Sequence, residues 1–390
     1  MIPVNINANY LIKFVVLTFV IFLIPSELDF KNTDKGHYIM KKEEKIRVGI
    51  SIGDLNGIGS EVVLKTFEDS RMLDFCTPVI FASVKILSFL KKHYKIKSNL
   101  HGIDKTSQIL DGKINVLNVW KEPVDINFGK EDSKIGGYAI KSLKAATQAL
   151  KNDEINILIT APINKRSIQS DEFAFPGHTD YLDQELEGNS LMFMITDNLK
   201  VGLLTDHVAV KDIANTITPE LIEEKVNTIY NSLKQDFGVS KPKIAVLGIN
   251  PHSGDNGVIG KEDEEILKPT IKKINESGKL VYGPYAADSF FGSNTYKAFD
   301  AIVASYHDQG LIPFKTLSFG KGVNYTAGLA KVRTSPDHGT AFEIAGKNQA
   351  DSSSFKEAVF SALKIFKNRN QYAEITKNPL KKQPRKPQKK

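Results

Sequence analysis

Three histidines each stand just past an apolar run: His207 in Thr205-Asp206-His207-Val208, His252 in Asn250-Pro251-His252-Ser253-Gly254, and His307 in Tyr306-His307-Asp308-Gln309-Gly310. In an open α/β sheet, residues beyond the carboxyl ends of strands converge on the crevice where ligands bind. Imidazoles in such places suit a divalent ion with an open coordination position, zinc or cobalt rather than calcium. Each one alone also fits an ordinary loop or core histidine, and their separations match no local zinc motif. A second constellation suits anions. Lys315, Asn324 and Arg333 follow His307, with Gly320 and Gly322 among them, and an Arg fork, a Lys point charge and an amide together can hold a phosphate and a carboxylate. For a lone lysine, plain surface solvation accounts for the sequence as well. In Phe175-Pro176-Gly177-His178-Thr179-Asp180, Thr179 is expected to cap a helix, which offers exposed backbone amides to an anion or simply ends the helix.

These residues need elements to position them. Val- and Ile-rich runs at Ile46–Ile52, Pro78–Ala82, Ile114–Val119, Ile155–Ile159, Lys243–Leu247 and Ala301–Ala304 are predicted as buried strands. Between them, Ile58–Phe67, Ala139–Leu150, Pro219–Leu233, Glu262–Ile274 and Phe355–Phe366 carry apolar residues at helical spacing. Strands separated by such helices imply crossovers, hence an α/β fold with a largely parallel sheet covered on both faces. The middle, Ala161 to Ile217, departs from this alternation. Leu191–Ile195 and Val201–Leu204 are close enough for a hairpin, which points to two lobes with a cleft between them. No Gly-x-Gly-x-x-Gly follows a strand. The nearest segment, Gly53-Asp54-Leu55-Asn56-Gly57-Ile58-Gly59, fits a tight strand-to-helix turn as well as a nucleotide loop.

A formal charge of +7 would suit an acidic partner, but Lys381, Lys382, Arg385, Lys386, Lys389 and Lys390 carry most of it in the stretch 378–390. With no aromatic residue among those cations to stack on bases, the tail reads as solvated and disordered rather than as a nucleic-acid arm. The lone Cys76 excludes an internal disulfide and a cysteine-based zinc site, and fits a reducing cytoplasm. Phe14–Ile24 is apolar but shorter than the roughly 20 residues that span a bilayer. Residues 1–39, before Met40, are therefore expected to be an extension outside the mature protein, with a membrane anchor as the alternative; 40–377 are the globular part.

The phrases Thr160-Ala161-Pro162-Ile163-Asn164-Lys165, Pro176-Gly177-His178-Thr179-Asp180, Gly248-Ile249-Asn250-Pro251-His252-Ser253-Gly254, Ala286-Ala287-Asp288-Ser289 and Tyr306-His307-Asp308-Gln309-Gly310 occur in an ordered series. Gly322-Val323-Asn324 and Arg333-Thr334-Ser335-Pro336-Asp337-His338-Gly339-Thr340-Ala341 continue it. Together they closely resemble the successive motifs of 4-hydroxythreonine-4-phosphate dehydrogenases, from about Ile46 to about Phe366. Two departures are mild: Gly53-Asp54-Leu55-Asn56-Gly57 stands for the family's Gly-Asp-Pro-Ala-Gly, and Asp180 for a glutamate.

The resemblance implies an isocitrate/isopropylmalate dehydrogenase-like fold and a role for each matching residue. By the family pattern His207, His252 and His307 would bind a divalent metal, zinc first with magnesium or cobalt as alternatives. His178, Thr179, Lys315, Asn324 and Arg333 would bind substrate. His338 to Gly346 resembles the loop that cradles the dinucleotide in isopropylmalate dehydrogenases, so Asp337, His338, Gly339 and Thr340 are expected to contact NAD or NADP. Asp288 and Lys165 are the candidate proton relays. The implied reaction oxidises and decarboxylates 4-phosphooxy-L-threonine to 3-amino-2-oxopropyl phosphate for vitamin B6 synthesis, in a homodimer with a shared active site. The nearest alternative is a dehydrogenase of 4-phospho-D-threonate or 4-phospho-D-erythronate; phosphate acyl transfer and a non-enzymatic scaffold stand further off.

Overall fold

Short, continuously apolar strands alternating with helices decide the architecture. The computed structural model describes residues 45–379. The expected extension 1–39, and all but the first two residues of the expected tail 378–390, lie outside the described residues. The strands are β1 (Arg47–Ser51), β2 (Thr77–Ala82), β3 (Leu100–Ile103), β4 (Ile114–Asn118), β5 (Ile157–Thr160) and β6 (Gly188–Ile195). They continue with β7 (Lys200–Leu203), β8 (Lys243–Leu247), β9 (Leu280–Tyr285), β10 (Ala301–Ala304), β11 (Val323–Leu329) and β12 (Val332–Pro336). All twelve form one sheet in the order β3-β4-β2-β1-β5-β12-β11-β6-β7-β10-β8-β9.

The sheet is largely parallel, as expected of an α/β protein. Among the described residues only β12 with β11, β11 with β6, and β6 with β7 run antiparallel. The expected hairpin is the last of these pairs, with Met194 opposite Val201, and its turn is closed by Thr196 N–H donating to Leu199 O at 2.8 Å. The antiparallel trio joins two parallel halves, β3 to β5 on one side and β7 to β9 on the other.

Helices of two turns or more cover both faces: α1 (Gly59–Thr66), α2 (Val84–His93), α3 (Ser133–Lys151), α4 (His178–Glu185), α5 (Pro219–Gln235), α6 (Lys268–Glu276), α7 (His307–Ser318) and α8 (Ser353–Thr376). In α5 the Thr218 hydroxyl accepts from Leu221 N–H and Pro219 sits in the first turn, so the start is capped and pre-set. Ile222, Val226, Ile229 and Leu233 then fall on its buried stripe, each worth about 1.5–3 kcal/mol when fully buried. The helix expected over Glu262–Ile274 is a wide turn, Asp263–Leu267, followed by α6. Pro269 explains the break, since it has no N–H to return to the preceding turn.

One face of the sheet carries a continuous core through Val48, Ile50, Ile159, Phe193, Tyr325 and Val303. The opposite face is divided. One cluster collects Val79, Phe81, Leu158 and Leu182; another collects Met194, Leu203, Leu247 and Phe314. Side chains alternate along a strand with period two. Thr160, Met192, Asn324, Thr326, Arg333 and Ser335 therefore project on the divided face, in the gap between its two clusters. Among the described residues, no helix is long and apolar enough to cross a membrane.

Candidate active site

A cavity of about 230 Å³ occupies that gap, and Lys165, His178, Thr179, His207, Asn324, Arg333, His338 and Gly339 all line it. At its floor Arg333 is 2% exposed. Its guanidinium donates to Thr160 Oγ1 at 2.6 and 3.2 Å and to Thr326 Oγ1 at 3.0 Å. Both acceptors are neutral, and among the described residues no carboxylate forms an ion pair with it. Burial alone pulls its pKa down to about 9, so the group is still a cation at neutral pH. A buried charge without a counterion is costly. Such a group is expected where an anion arrives.

The neighbouring atoms point the same way. His178 Nε2, Asn324 Oδ1 and His338 Nε2 are buried and have no hydrogen-bond partner in the protein. Burial, then the charge of Arg333, pushes His178 well below the ordinary histidine pKa. The ring is thus neutral and has a nitrogen to share with a ligand. Burial also lowers His338. Buried polar atoms are seldom left unpaired, and here three converge on one cavity beside an unpaired cation.

His178 and Thr179 open α4, but Thr179 is not the cap. The helix begins one residue earlier, with Gly177 as its extended N-cap and no side-chain capping bond. The rest of the expected anion set is split. Asn324 and Arg333 line the cavity, whereas the Lys315 amine on α7 lies 3.0 Å from Asp337 Oδ1 and is not among the lining groups. Asp337 is displaced upward from the usual carboxylate pKa by burial, against the pull of Lys315.

The His207 and His307 rings lie 6.4 Å apart between centres, tilted by 31°. A metal–nitrogen bond of 2.0–2.1 Å puts a ring centre roughly 3.2 Å from the ion, so two rings on one ion have centres within about 6.4 Å of each other. At 6.4 Å the pair reaches that limit only with a linear N–metal–N angle; the tetrahedral angle of a zinc site brings ring centres to about 5.2 Å, so these rings would have to close up to share one ion. His307 Nδ1 lies 2.7 Å from Asp308 Oδ1; a proton held there leaves the lone pair on Nε2. His252 is not gathered with them. Among the described residues no group of three His, Cys, Asp or Glu side chains is arranged to hold a metal.

His252 opens an unusual turn in which His252, Ser253, Gly254, Asp255 and Asn256 all have left-handed φ, between 43° and 77°. For a non-glycine residue that conformation costs roughly 1–2 kcal/mol. Asp263 holds the approach to it, accepting from Ile249 N–H at 2.8 Å, Asn250 N–H at 3.0 Å and the Asn250 amide at 3.0 Å.

Of the two expected relays, Lys165 lines the cavity, while Asp288 is exposed in the short helix Ala287–Gly292 and does not. The expected dinucleotide segment meets the first glycine-rich turn: Ile58 N–H donates to Thr340 O at 3.0 Å, and a Cβ on Gly57 would come within 2.9 Å of that oxygen. Thr160, Thr326 and Ser335 were not singled out from sequence. Period-two reading from Asn324 and Arg333 leads to Thr326 and Ser335. Thr160 stands in a recognised motif but carries no charge to mark it.

An α/β sheet whose divided face holds a buried arginine without a counterion, beside imidazole and amide atoms without partners, is suited to receive a small anion. Residues 74–362 match the family described as Pyridoxal phosphate biosynthetic protein PdxA. A 4-hydroxythreonine-4-phosphate dehydrogenase from Bacteroides thetaiotaomicron is 47% identical over 344 residues, 88% of this chain and 94% of that one. A D-threonate 4-phosphate dehydrogenase from Cupriavidus necator is 35% identical over 80% of this chain and 95% of that one. The solved 4-hydroxythreonine-4-phosphate dehydrogenase of Klebsiella pneumoniae superposes with a TM-score of 0.72 at 31% identity, covering 83% of this chain and 98% of that one. The chain belongs to the PdxA family of dehydrogenases.

Proposed function

We propose that the chain oxidises and decarboxylates 4-phosphooxy-L-threonine to 3-amino-2-oxopropyl phosphate with NAD or NADP, in the synthesis of pyridoxal phosphate. The observation that carries this reading is Arg333, a buried cation without a counterion, facing a cavity where His178 and Asn324 also have unpaired atoms. Its guanidinium and the neutral His178 hold the phosphate ester, whose binding energy orients the reacting carbon. Thr179 and Asn324 complete the anion contacts. Lys315, which lies outside the cavity lining, braces Asp337 and adds positive potential beside it.

A divalent ion, zinc first and magnesium or cobalt otherwise, would supply Lewis-acid polarisation of the substrate oxygen. His207 and His307 would hold it, with His252 from a second copy of the chain. Exposed Val210, Ile312 and Val258, at 79%, 63% and 80%, flank the three histidines in sequence and support an apolar self-association there. The homodimer would then share its active sites. Asp288, also outside its own chain's cavity, would act only across that interface, which leaves Lys165 as the better placed relay.

NAD or NADP would accept the hydride. Asp337, His338, Gly339 and Thr340 would receive it against the Gly53–Gly59 turn. The alcohol carbon loses a hydride and its oxygen a proton. The resulting β-keto acid then loses carbon dioxide, and the carbon left behind takes up a proton. D-threonate 4-phosphate is the competing substrate, since the Cupriavidus necator relative carries that name. No nucleic acid or membrane enters the reading, and we place the enzyme in the cytoplasm. Formation of reduced nicotinamide with each phosphorylated acid, with and without chelator, tests it; no reduction with either acid in the presence of added zinc, cobalt or magnesium would overturn it.

A further inference from the structure

The segment from Asp337 to Ser352 joins β12 to α8 without a strand or α-helix, yet side chains from α1 and α2 fasten it repeatedly. Its first residues, His338 and Gly339, line the cavity. Further on, His93 Nε2 donates to Gly346 O at 2.8 Å. At its far end Glu61, with a fully buried side chain, accepts from Ala350 N–H at 2.8 Å and from the Lys65 amine at 2.7 Å. The same amine donates to Asn348 O at 3.2 Å and Ala350 O at 2.9 Å. Ala341 and Asn348 are held at φ 42° and 59°, values that non-glycine residues adopt only where their surroundings impose them.

A buried carboxylate is poor at adding stability, because its desolvation offsets much of the attraction to its partner. An apolar side chain would fill the interior of α1 as well. What Glu61 supplies that an apolar residue cannot is a fixed acceptor for Ala350 and a fixed place for Lys65, which grips two carbonyls of the segment. We propose that Glu61, acting with Lys65, is a positioning residue that sets the Asp337–Ala350 segment in the shape that receives the dinucleotide. The proposal rests on the reading of Asp337–Thr340 as the dinucleotide loop. It adds that the affinity of this loop is set from its far end, by residues that do not touch the ligand.

The test uses the full chain as Glu61→Ala, Glu61→Gln and Lys65→Met, with two readouts. Hydrogen exchange of the 338–350 amides, measured without nucleotide, reports the fastening itself. NADH titration by fluorescence, together with KM values for NAD and for the phosphorylated acid, reports its consequence. Exchange in the segment should quicken in Glu61→Ala and Lys65→Met while the sheet amides stay protected. The NADH dissociation constant and the KM for NAD should rise together by about tenfold, the equivalent of about 1.4 kcal/mol, with the KM for the acid within about twofold. Glu61→Gln, which keeps an acceptor for Ala350 but not the charge for Lys65, should fall between. Unchanged exchange in the segment would overturn the fastening. Faster exchange with wild-type NADH affinity would overturn its role in binding, as would an equal rise in both KM values. A wild-type protein that binds no NADH would instead overturn the dinucleotide reading, and exchange would still decide the fastening.

Discussion

Replacing Arg333 with methionine should damage function and spare stability, two effects that separate a ligand-binding cation from a structural one. The guanidinium has exchanged water for two threonine hydroxyls and no carboxylate. Burial pulls its pKa down to about 9, a solvation cost of a few kcal/mol that nothing in the protein recovers, at about 1.36 kcal/mol per pH unit. Both folded and unfolded forms are protonated below pH 9, so that cost is present in full at neutral pH and shrinks only as pH rises above about 9. Methionine removes it but leaves Thr160 and Thr326 hydroxyls without a partner, at about 1–3 kcal/mol each. The balance is near zero or favourable, and Tm should hold or rise. Function should move the other way. Two charge-assisted bonds to a phosphate, at about 1.5–3 kcal/mol each, put the loss in kcat/KM at about a hundredfold or more. Arg333→Lys should recover part of it, as a point charge without the fork. Inorganic phosphate should raise the Tm of wild type and not of Arg333→Met. Steady-state kinetics and thermal melts with and without phosphate decide the matter. A Met variant with wild-type kcat/KM, or one that loses several degrees of Tm and gains stability from phosphate like wild type, would refute the reasoning.

Other consequences follow from the same site. His178 is held well below its ordinary pKa, so the unfolded chain binds its proton first and stability should fall as pH drops below about 6.5; Tm measured from pH 7 to 5 should fall less steeply in His178→Gln. Burial raises the Asp54 pKa from 3.8 to about 6. That sign is opposite: the folded form holds the proton more tightly, and the carboxylate is a burden above pH 6. Asp54→Asn should therefore add roughly 1–3 kcal/mol at pH 8 and little at pH 4, as read by denaturant unfolding at both values. His207→Ala and His252→Ala should each weaken zinc binding in competition with a chromophoric chelator. Mixing the two inactive variants should restore part of the activity if His252 reaches the ion from a second copy.

The sheet was legible because its parallel strands are buried on both sides, and runs such as Ile155–Ile159 and Lys243–Leu247 need no context to be recognised. β11 and β12 were not, although they carry Asn324 and Arg333. Thr326, Gly328, Arg333 and Ser335 are polar or small residues. A strand that forms the floor of a site gives up the apolar pattern that would reveal it. β9 is hidden similarly by Gly283 and Pro284. Most of the site was visible as residue types, and His178, Asn324, Arg333, Lys165 and His338 do converge. The sequence could not show that Lys315 pairs with Asp337, since a salt bridge between α7 and the end of β12 depends on packing. Nor could it show that β7, β10 and β8 stand side by side and parallel, which brings the loops carrying His207, His307 and His252 to one edge of the sheet, because strand order is settled by packing.

The most direct test of the functional reading is to incubate the purified protein with 4-phosphooxy-L-threonine, NAD and zinc while following reduced nicotinamide and released carbon dioxide together. One carbon dioxide per nicotinamide reduced is the expected result, with both signals abolished by chelator and restored by added metal. Reduction without carbon dioxide, turnover of the unphosphorylated acid at the same efficiency, or full activity after exhaustive chelation would contradict it.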